Sequence, residues 1–360
     1  MGEQGRGRVP MKRYEFWDPR LFNLPFYGYL AIRTVQAGIH PKTLFKANYA
    51  LENGDLRASK FRLQQTVGAA KFPPTLFVAD PQGIRQKKRQ VIRFAGVHHF
   101  PVIAKPDIGE CGKAVKLIHD EAQLDRFLPL ISSDYLIQPV IPLPVEYGVF
   151  YVRYRGRPRI IGINGKTFPH VRGNGRDTLK RLIHQNPRYS HHWRGFIHDT
   201  DLGRTPAPGE TIRLSQIGSH TMGCMFTDKT HLTTPLLENA VYGLLEDVPG
   251  VNFSRLDVRA GSKAEFQKGK FQLIEINGVS SLPTEMFDPQ YSVFDAYRIF
   301  FRVADWLVKI AKENRYQPMK PIRLRRLFRQ LQQDGRILEE THRRLLQMAG
   351  YIGATGLHRV

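Results

Sequence analysis

The chain has 360 residues, 41% of them hydrophobic, and carries a formal net charge of +22 at pH 7. This length and composition indicate a folded globular protein with room for two or three domains, and they exclude a disordered chain. No apolar run reaches the about 18 residues that span a bilayer, and two cysteines make no disulfide framework. Without a signal-peptide core near its start, the chain is expected to be cytoplasmic. Its charge predicts an anionic partner, which is a nucleotide, an acidic substrate, a membrane surface or a nucleic acid.

The first 58 residues mix aromatic, basic and proline residues. Pro19 and Pro25 punctuate this region, and residues 30–35 are predicted to be helical. Two interpretations are open: a segment that lies on a membrane surface, or a helical hairpin that packs on the main domain. Ser59 is a predicted N-cap, so Lys60 begins the next helix.

Residues 101–118 predict two strands joined by a glycine-containing loop. The first strand ends at Lys105, and the loop contains Gly109, Gly112 and Lys113. Glycines let backbone N–H groups approach phosphate oxygens closely, and a lysine at a strand end neutralises phosphate charge. A plain hairpin turn explains the pattern equally well. The loop is not a P-loop, because it joins strand to strand and lacks the Gly-Lys-Ser/Thr that precedes a helix.

The strand predicted at 135–141 breaks at a proline. Such a break exposes backbone groups that can hydrogen-bond the edge of an adenine. The next strand begins at Glu146, whose carboxylate can accept hydrogen bonds from ribose hydroxyls, and a strand at 160–163 leads to Lys166. Residues 186–210 are rich in His, Arg, Pro and Gly and are predicted to form a loop.

Two neighbouring short strands carry a row of polar side chains at alternate positions. Side chains at i and i+2 share one face of a strand, so each row points one way. The residues are Arg255, Asp257 and Arg259 on the first strand, and Glu275 and Asn277 on the second. Such hard oxygen ligands suit Mg²⁺, which keeps waters and takes further oxygens from the phosphates of a nucleotide. An ordinary edge hairpin with surface salt bridges is the alternative.

The C-terminal part shifts to an arginine-rich composition. Residues 293–310 predict a strongly amphipathic helix. Beyond it, Gly335 is predicted to separate two basic helices, at 324–331 and 337–348. Either their apolar stripe docks on the body, or their basic face binds a membrane surface or RNA.

Taken in order, these pieces resemble the ATP-grasp superfamily over about residues 59–312. The resemblance is closest to a poorly characterised bacterial group, and the stretch after Lys166 is similar to one in cyanophycin synthetases and glutamate ligases. It implies an α+β fold in which two α+β subdomains sandwich ATP. The subdomains are a lid at about 76–141 and a metal-binding part at about 142–312. A reduced N-terminal region, 1–58, precedes them, and a basic helical extension, 313–360, follows.

The resemblance also implies roles for individual residues. The implied nucleotide-binding residues are Lys60, Lys105, Gly109, Gly112, Lys113, Gln138, Val140 and Glu146. The implied ligands of one or two Mg²⁺ ions, with Mn²⁺ as a possible substitute, are Asp257, Glu275 and Asn277. The implied catalytic residues are Lys166, Arg255 and Arg259, the arginines stabilising an acyl phosphate and its oxyanion.

The activity implied is ligation. A carboxylate attacks the γ-phosphate of ATP, and an amine or another nucleophile then displaces phosphate from the acyl phosphate. The implied partners are ATP, an anionic small-molecule or peptide carboxylate and an amine acceptor. Nucleic acid is not expected, whereas peripheral membrane contact and the oligomeric state are left open. The alternatives are an ATP-grasp phosphotransferase and a nucleotide-binding protein whose basic face associates with RNA or a membrane surface.

The sequence departs from the family at both ends of the implied substrate site. Only about fifty residues precede Lys60, where the family has a larger α/β domain. Asn277 is followed by Gly-Val-Ser-Ser rather than the frequent Ser-Pro-Gly. The identity of the substrate is therefore left open.

Overall fold

The computed structural model describes residues 14–109, 111–193, 196, 201–319 and 324–348. Across these ranges every pair of neighbouring strands is antiparallel, and helices cover the sheets. Separate helices and antiparallel strands define the α+β class, which confirms that prediction. No helix in the described ranges has the length and apolar character that crossing a bilayer requires.

The smaller sheet has four strands in the order β1-β4-β2-β3. Its strands are β1 (Leu76–Val78), β2 (Val102–Pro106), β3 (Lys116–Ile118) and β4 (Tyr135–Pro139). Its core is shared with α3 (Ile84–His98) and α4 (Glu121–Phe127). The side chain of Asp120 accepts a hydrogen bond from the Gln123 backbone N–H, which explains why α4 begins where it does.

The larger sheet has five strands in the order β11-β10-β5-β6-β9. They are β5 (Val145–Tyr154), β6 (Arg157–Thr167), β9 (Met225–Asp228), β10 (Phe253–Ala260) and β11 (Gln272–Asn277). Alternate residues of β5 face opposite sides, as the strand period requires. Val149 and Tyr151 pack in one core with α7 (Pro235–Leu245) and α8 (Lys263–Gln267). Phe150 and Val152 pack in another core with α9 (Val293–Glu313).

A third unit consists of the two-stranded sheet of β7 (His170–Arg172) and β8 (Thr211–Arg213), with α5 (Leu179–Gln185) and α6 (Pro187–His192). The prediction of a loop throughout 186–210 was wrong at its start, because α6 forms there. Asn186 caps that helix by accepting from two backbone N–H groups, and Pro187 occupies the first helical position.

The N-terminal helix α1 (Pro19–Gln36) is longer than the predicted segment, and Pro25 lies inside it. Phe26 stacks on Phe300 of α9 with ring centroids 3.9 Å apart. The Arg33 guanidinium of α1 forms an ion pair with the Asp305 carboxylate of α9 at 2.7 Å. The side of α1 that carries Phe26 and Arg33 therefore docks on the body, as the second interpretation expects, and the opposite side of the helix is exposed.

The C-terminal helix α10 runs unbroken from Leu324 to Met348, so the predicted separation at Gly335 was wrong. A glycine inside a helix costs about 1 kcal/mol relative to alanine, and burial of neighbouring leucines outweighs that cost. Leu338 and Leu345 belong to the core of the four-stranded sheet, and Leu327 is also buried. The interpretation in which the apolar stripe docks on the body is confirmed.

Candidate active site

A cavity of about 600 Å³ lies between the four-stranded and the five-stranded sheet. Every site residue predicted from the sequence lines it. From the side of the four-stranded sheet and α2 (Lys60–Val67) come Lys60, Lys105, Gly109, Gly112, Lys113, Gln138 and Val140. From the five-stranded sheet come Glu146, Lys166, Arg255, Asp257, Arg259, Glu275 and Asn277. The structure therefore brings the residues together across a single cleft.

Strand register aligns the polar residues of the five-stranded sheet. Arg255 pairs with Asn277, and Asp257 pairs with Glu275, across β10 and β11. On the other side of β10, Arg259 pairs with Glu146 of β5. Residues directly opposite each other on antiparallel strands have neighbouring side chains on one face. The face predicted from the alternation of residues is thus present, and it extends further across the sheet than the two strands alone.

Glu146 is the centre of a buried network of charges. One of its oxygens accepts from Lys166 Nζ at 2.7 Å, and the other accepts from Arg259 Nε at 2.8 Å. Lys166 Nζ also lies 3.4 Å from Asp257 Oδ2, and Arg255 Nε donates to Asp257 Oδ1 at 3.0 Å. Glu146 thereby fixes two cationic side chains in the cleft, a role beyond the ribose contact implied by the resemblance.

The charge state of Asp257 follows from these neighbours. Burial opposes its ionisation, but the positive charges of Arg255 and Lys166 outweigh burial and hold its pKa below the ordinary value. On the facing sheet, burial lowers the pKa of Lys105, and the negative charge of Glu275 partly offsets this. Asp257 is accordingly an ionised carboxylate directed into a cleft of mostly positive groups.

Lys60 joins the two sides of the cleft. Its Nζ donates to the Gly109 carbonyl at 2.6 Å and lies 3.7 Å from Glu275 Oε1. It is placed there because Ser59 caps α2, its hydroxyl accepting from the Arg62 backbone N–H, as the sequence predicted. A cation held between a loop and a carboxylate is well placed to meet an anion entering the cleft.

The glycine loop after β2 is held in place by hydrogen bonds from residues that the sequence did not predict to belong to the site. The Cys111 carbonyl accepts from the hydroxyls of Ser219 and Thr221, at 2.8 and 2.5 Å. Gly112 has a positive φ of 73°, and a Cβ there would lie 2.9 Å from Ile217. The polar, glycine-punctuated stretch around residues 214–224 was the available signal, but its contact with the loop is non-local.

One end of the cavity is formed by segments in which the sequence predicted no site residues. Tyr14, Trp17 and Phe22 from the N-terminal region line it together with Phe287. Asp55 also lines it, and its carboxylate accepts from the Gly278 backbone N–H at 2.8 Å. Burial raises the pKa of Asp55 to about 7. Aromatic side chains and a partly buried acid therefore border the space next to the predicted metal ligands.

The oxygen donors fit a magnesium ion that arrives with a nucleotide. No group of three or more His, Cys, Asp or Glu side chains suited to a metal occurs in the described part of the chain. The donors at hand are the Asp257 and Glu275 carboxylates and the Asn277 amide. Mg²⁺ in phosphate-transferring sites is bound through one or two carboxylates, waters and substrate phosphates. This donor set fits that mode.

Comparison with known proteins gives no match to a family model and none to a curated protein. Solved structures do match, among them two D-alanine–D-alanine ligases and a glutathione synthetase. D-alanine–D-alanine ligase from Bacillus anthracis is 13% identical over 73% of this chain and 71% of its own, with a TM-score of 0.40. The corresponding ligase from Helicobacter pylori is 14% identical over 69% and 60%, with a TM-score of 0.36.

A bifunctional glutathione synthetase from Pasteurella multocida is 12% identical over 68% of this chain, with a TM-score of 0.34. The chain spans only 36% of the length of that synthetase. Similarity of this degree does not assign an activity to the present chain.

Proposed function

We propose that the protein is a ligase dependent on ATP and Mg²⁺ that activates a carboxylate as an acyl phosphate and transfers the acyl group to an amine. The observation that supports this most directly is the two-sided cleft. One wall carries lysines and a glycine loop, and the other carries two carboxylates and an amide among buried cations. This arrangement suits a triphosphate with its divalent cation.

In this proposal ATP lies between the two sheets. Backbone groups at Gln138 and Val140, where β4 ends, hold the adenine edge. The Gln138 side chain donates to the Thr75 hydroxyl at 2.7 Å and is thereby held in place. Lys60 and Lys105 meet the phosphates, and the loop containing Gly109 closes over them.

Asp257, Glu275 and Asn277 are the proposed metal ligands. A Mg²⁺ ion held there with ATP would offset the negative charge on the phosphates. Arg255 is held by Asp257 and donates to the Leu282 carbonyl at 3.4 Å, so its guanidinium has a fixed position. Fixed positive groups stabilise developing negative charge more than mobile ones, because they need no reorganisation during the reaction.

The proposed reaction has two steps. A carboxylate oxygen of the substrate attacks the γ-phosphorus and ADP departs, which forms the acyl phosphate. The amine then attacks the acyl carbon, phosphate departs, and the amine loses a proton. The protein supplies no covalent nucleophile, so catalysis depends on positioning and on Lys166, Arg255 and Arg259 as electrostatic groups. The surplus of cations in the cleft favours an anionic carboxylate substrate.

Positional isotope exchange tests the first step without knowledge of the amine. ATP labelled with ¹⁸O at the β–γ bridge is incubated with Mg²⁺ and pools of amino acids, dicarboxylates and acidic peptides. Reversible acyl phosphate formation moves the label to non-bridging β positions, which ³¹P NMR detects. We expect exchange with at least one carboxylate pool and none with Glu275→Gln.

Glu246→Gln is the matched control, because Glu246 is an exposed glutamate at the end of α7 and does not line the cavity. It should exchange at the wild-type rate. Absence of exchange with every pool, or exchange that persists in Glu275→Gln, would refute the proposal. A stable phosphorylated product instead of free phosphate would identify a phosphotransferase.

A further inference from the structure

Helix α1 presents an apolar face to solvent. Its inner face packs on α9 through Phe22 and Phe26, which are buried. On its other side the exposed residues recur at the helical spacing and are mostly apolar. They are Leu21 (71% exposed), Leu24 (65%), Tyr27 (59%), Gly28, Ala31, Ile32 (57%) and Val35 (78%). An 18-residue helix that is apolar on both faces is unusual for a surface element and marks an interaction site.

The charge on and around this face is positive. Helix α1 contains no Asp or Glu, and at its start the exposed Arg20 offsets the exposed Asp18 that caps the helix. The neighbouring helix α9 exposes four further basic side chains, against Glu313 as its one exposed acid. These basic residues are Arg298, Arg302, Lys309 and Lys312. Exposed apolar side chains together with a surplus of exposed Lys and Arg on the neighbouring helix fit the pattern of elements that lie in the surface of an anionic bilayer.

We propose that the outward face of α1 docks on an anionic lipid surface. The apolar side chains would enter the boundary between headgroups and acyl chains, and the basic residues of α9 would contact headgroups. A second copy of this chain fits the face less well. Each copy of the chain carries a net charge of +22, so two copies repel each other. Anionic headgroups attract the same positive charge.

Docking in this way would place one end of the cleft beside the membrane. Trp17 lies two residues before the start of α1, is 46% exposed and also lines the cavity. Tryptophan is enriched at membrane interfaces, where its ring is half in contact with water. The helix that meets lipid is therefore continuous with the aromatic end of the cavity.

Vesicle co-sedimentation of the full chain tests the proposal. The probes are phosphatidylcholine vesicles with and without phosphatidylglycerol. We expect wild-type protein to sediment with the anionic vesicles and to bind neutral ones weakly. Leu24→Gln with Ile32→Gln removes two apolar groups from the face, so the fraction bound should fall by about tenfold or more. Both side chains are mainly exposed, so the melting temperature should not change.

Leu236→Gln is the matched control, because Leu236 is similarly exposed (59%) but lies on α7. It should bind anionic vesicles as the wild type does. Wild-type protein that remains in the supernatant, or a double variant that binds like the wild type, would overturn the proposal. So would sedimentation velocity showing a dimer that the double variant dissociates, since the face would then belong to a second copy.

Discussion

Glu146→Gln is expected to destabilise the protein, because this carboxylate is the shared partner of two buried cations. The substitution keeps the shape of the side chain and removes its charge. Lys166 Nζ and Arg259 Nε, at 2.7 and 2.8 Å, each lose an ionic acceptor. Both cations are buried with little access to water, so solvent cannot replace the lost interaction.

The magnitude follows from what each cation keeps. Removing one member of a buried ion pair costs about 3–5 kcal/mol in the free energy of unfolding. Arg259 retains the carbonyl oxygens of Ile141 and Gln216, each at 2.9 Å, and Lys166 retains Asp257 at 3.4 Å. The expected loss is therefore at the low end, about 3 kcal/mol.

Urea unfolding followed by circular dichroism measures this loss, with Glu246→Gln as an exposed control. A double-mutant cycle with Lys166→Met isolates the pair and should give a coupling of about 1–3 kcal/mol. A loss below about 1 kcal/mol for Glu146→Gln would refute the reasoning, since it would mean that the two cations are not held by this carboxylate.

Three further predictions concern neighbouring features. A Cβ at Gly218 would lie 2.1 Å from Glu146 Oε1, so Gly218→Ala should displace that carboxylate. The rate at which the protein releases phosphate from ATP should then fall by roughly tenfold or more. An unchanged rate would contradict this prediction. Burial raises the pKa of Glu285 from 4.5 to about 7. The folded state thus holds this proton to higher pH, and stability should fall as pH rises from 4.5 to 7 by roughly 2 kcal/mol. Melting temperatures across that range should fall less in Glu285→Gln than in the wild type, because Asp55, whose pKa is also raised, still contributes to the fall in the variant. Asn48 accepts from the backbone N–H groups of Asn252 and Phe253 at 2.9 and 2.8 Å. Asn48→Ala should therefore cost about 3 kcal/mol in urea unfolding, and a change within experimental error would show that these groups find other partners.

Features set by local sequence were predictable. The cap at Ser59 depends on one side chain and the next turn of helix. The shared face of Asp257 and Glu275 depends only on the strand period and on pairing between neighbours in sequence. These local rules apply before any tertiary contact is known.

Features set by non-local packing were not predictable. The contact of Glu146 with Arg259 requires knowing that β5 lies between β10 and β6, which no local pattern gives. The continuous helix through Gly335 depends on leucines that pack on a distant sheet. The hydroxyl groups that donate hydrogen bonds to the Cys111 carbonyl come from residues about a hundred positions away along the chain. Tertiary contacts in each case override or add to local preference.

The central claim is that one cleft binds ATP together with a divalent cation. Isothermal titration of ATP with and without Mg²⁺, for the wild type and for Asp257→Asn with Glu275→Gln, tests it most directly. In the wild type Mg²⁺ should strengthen ATP binding by about tenfold or more, and in the double variant this gain should vanish. Equal affinity with and without Mg²⁺ in the wild type, or a full gain in the double variant, would contradict the account.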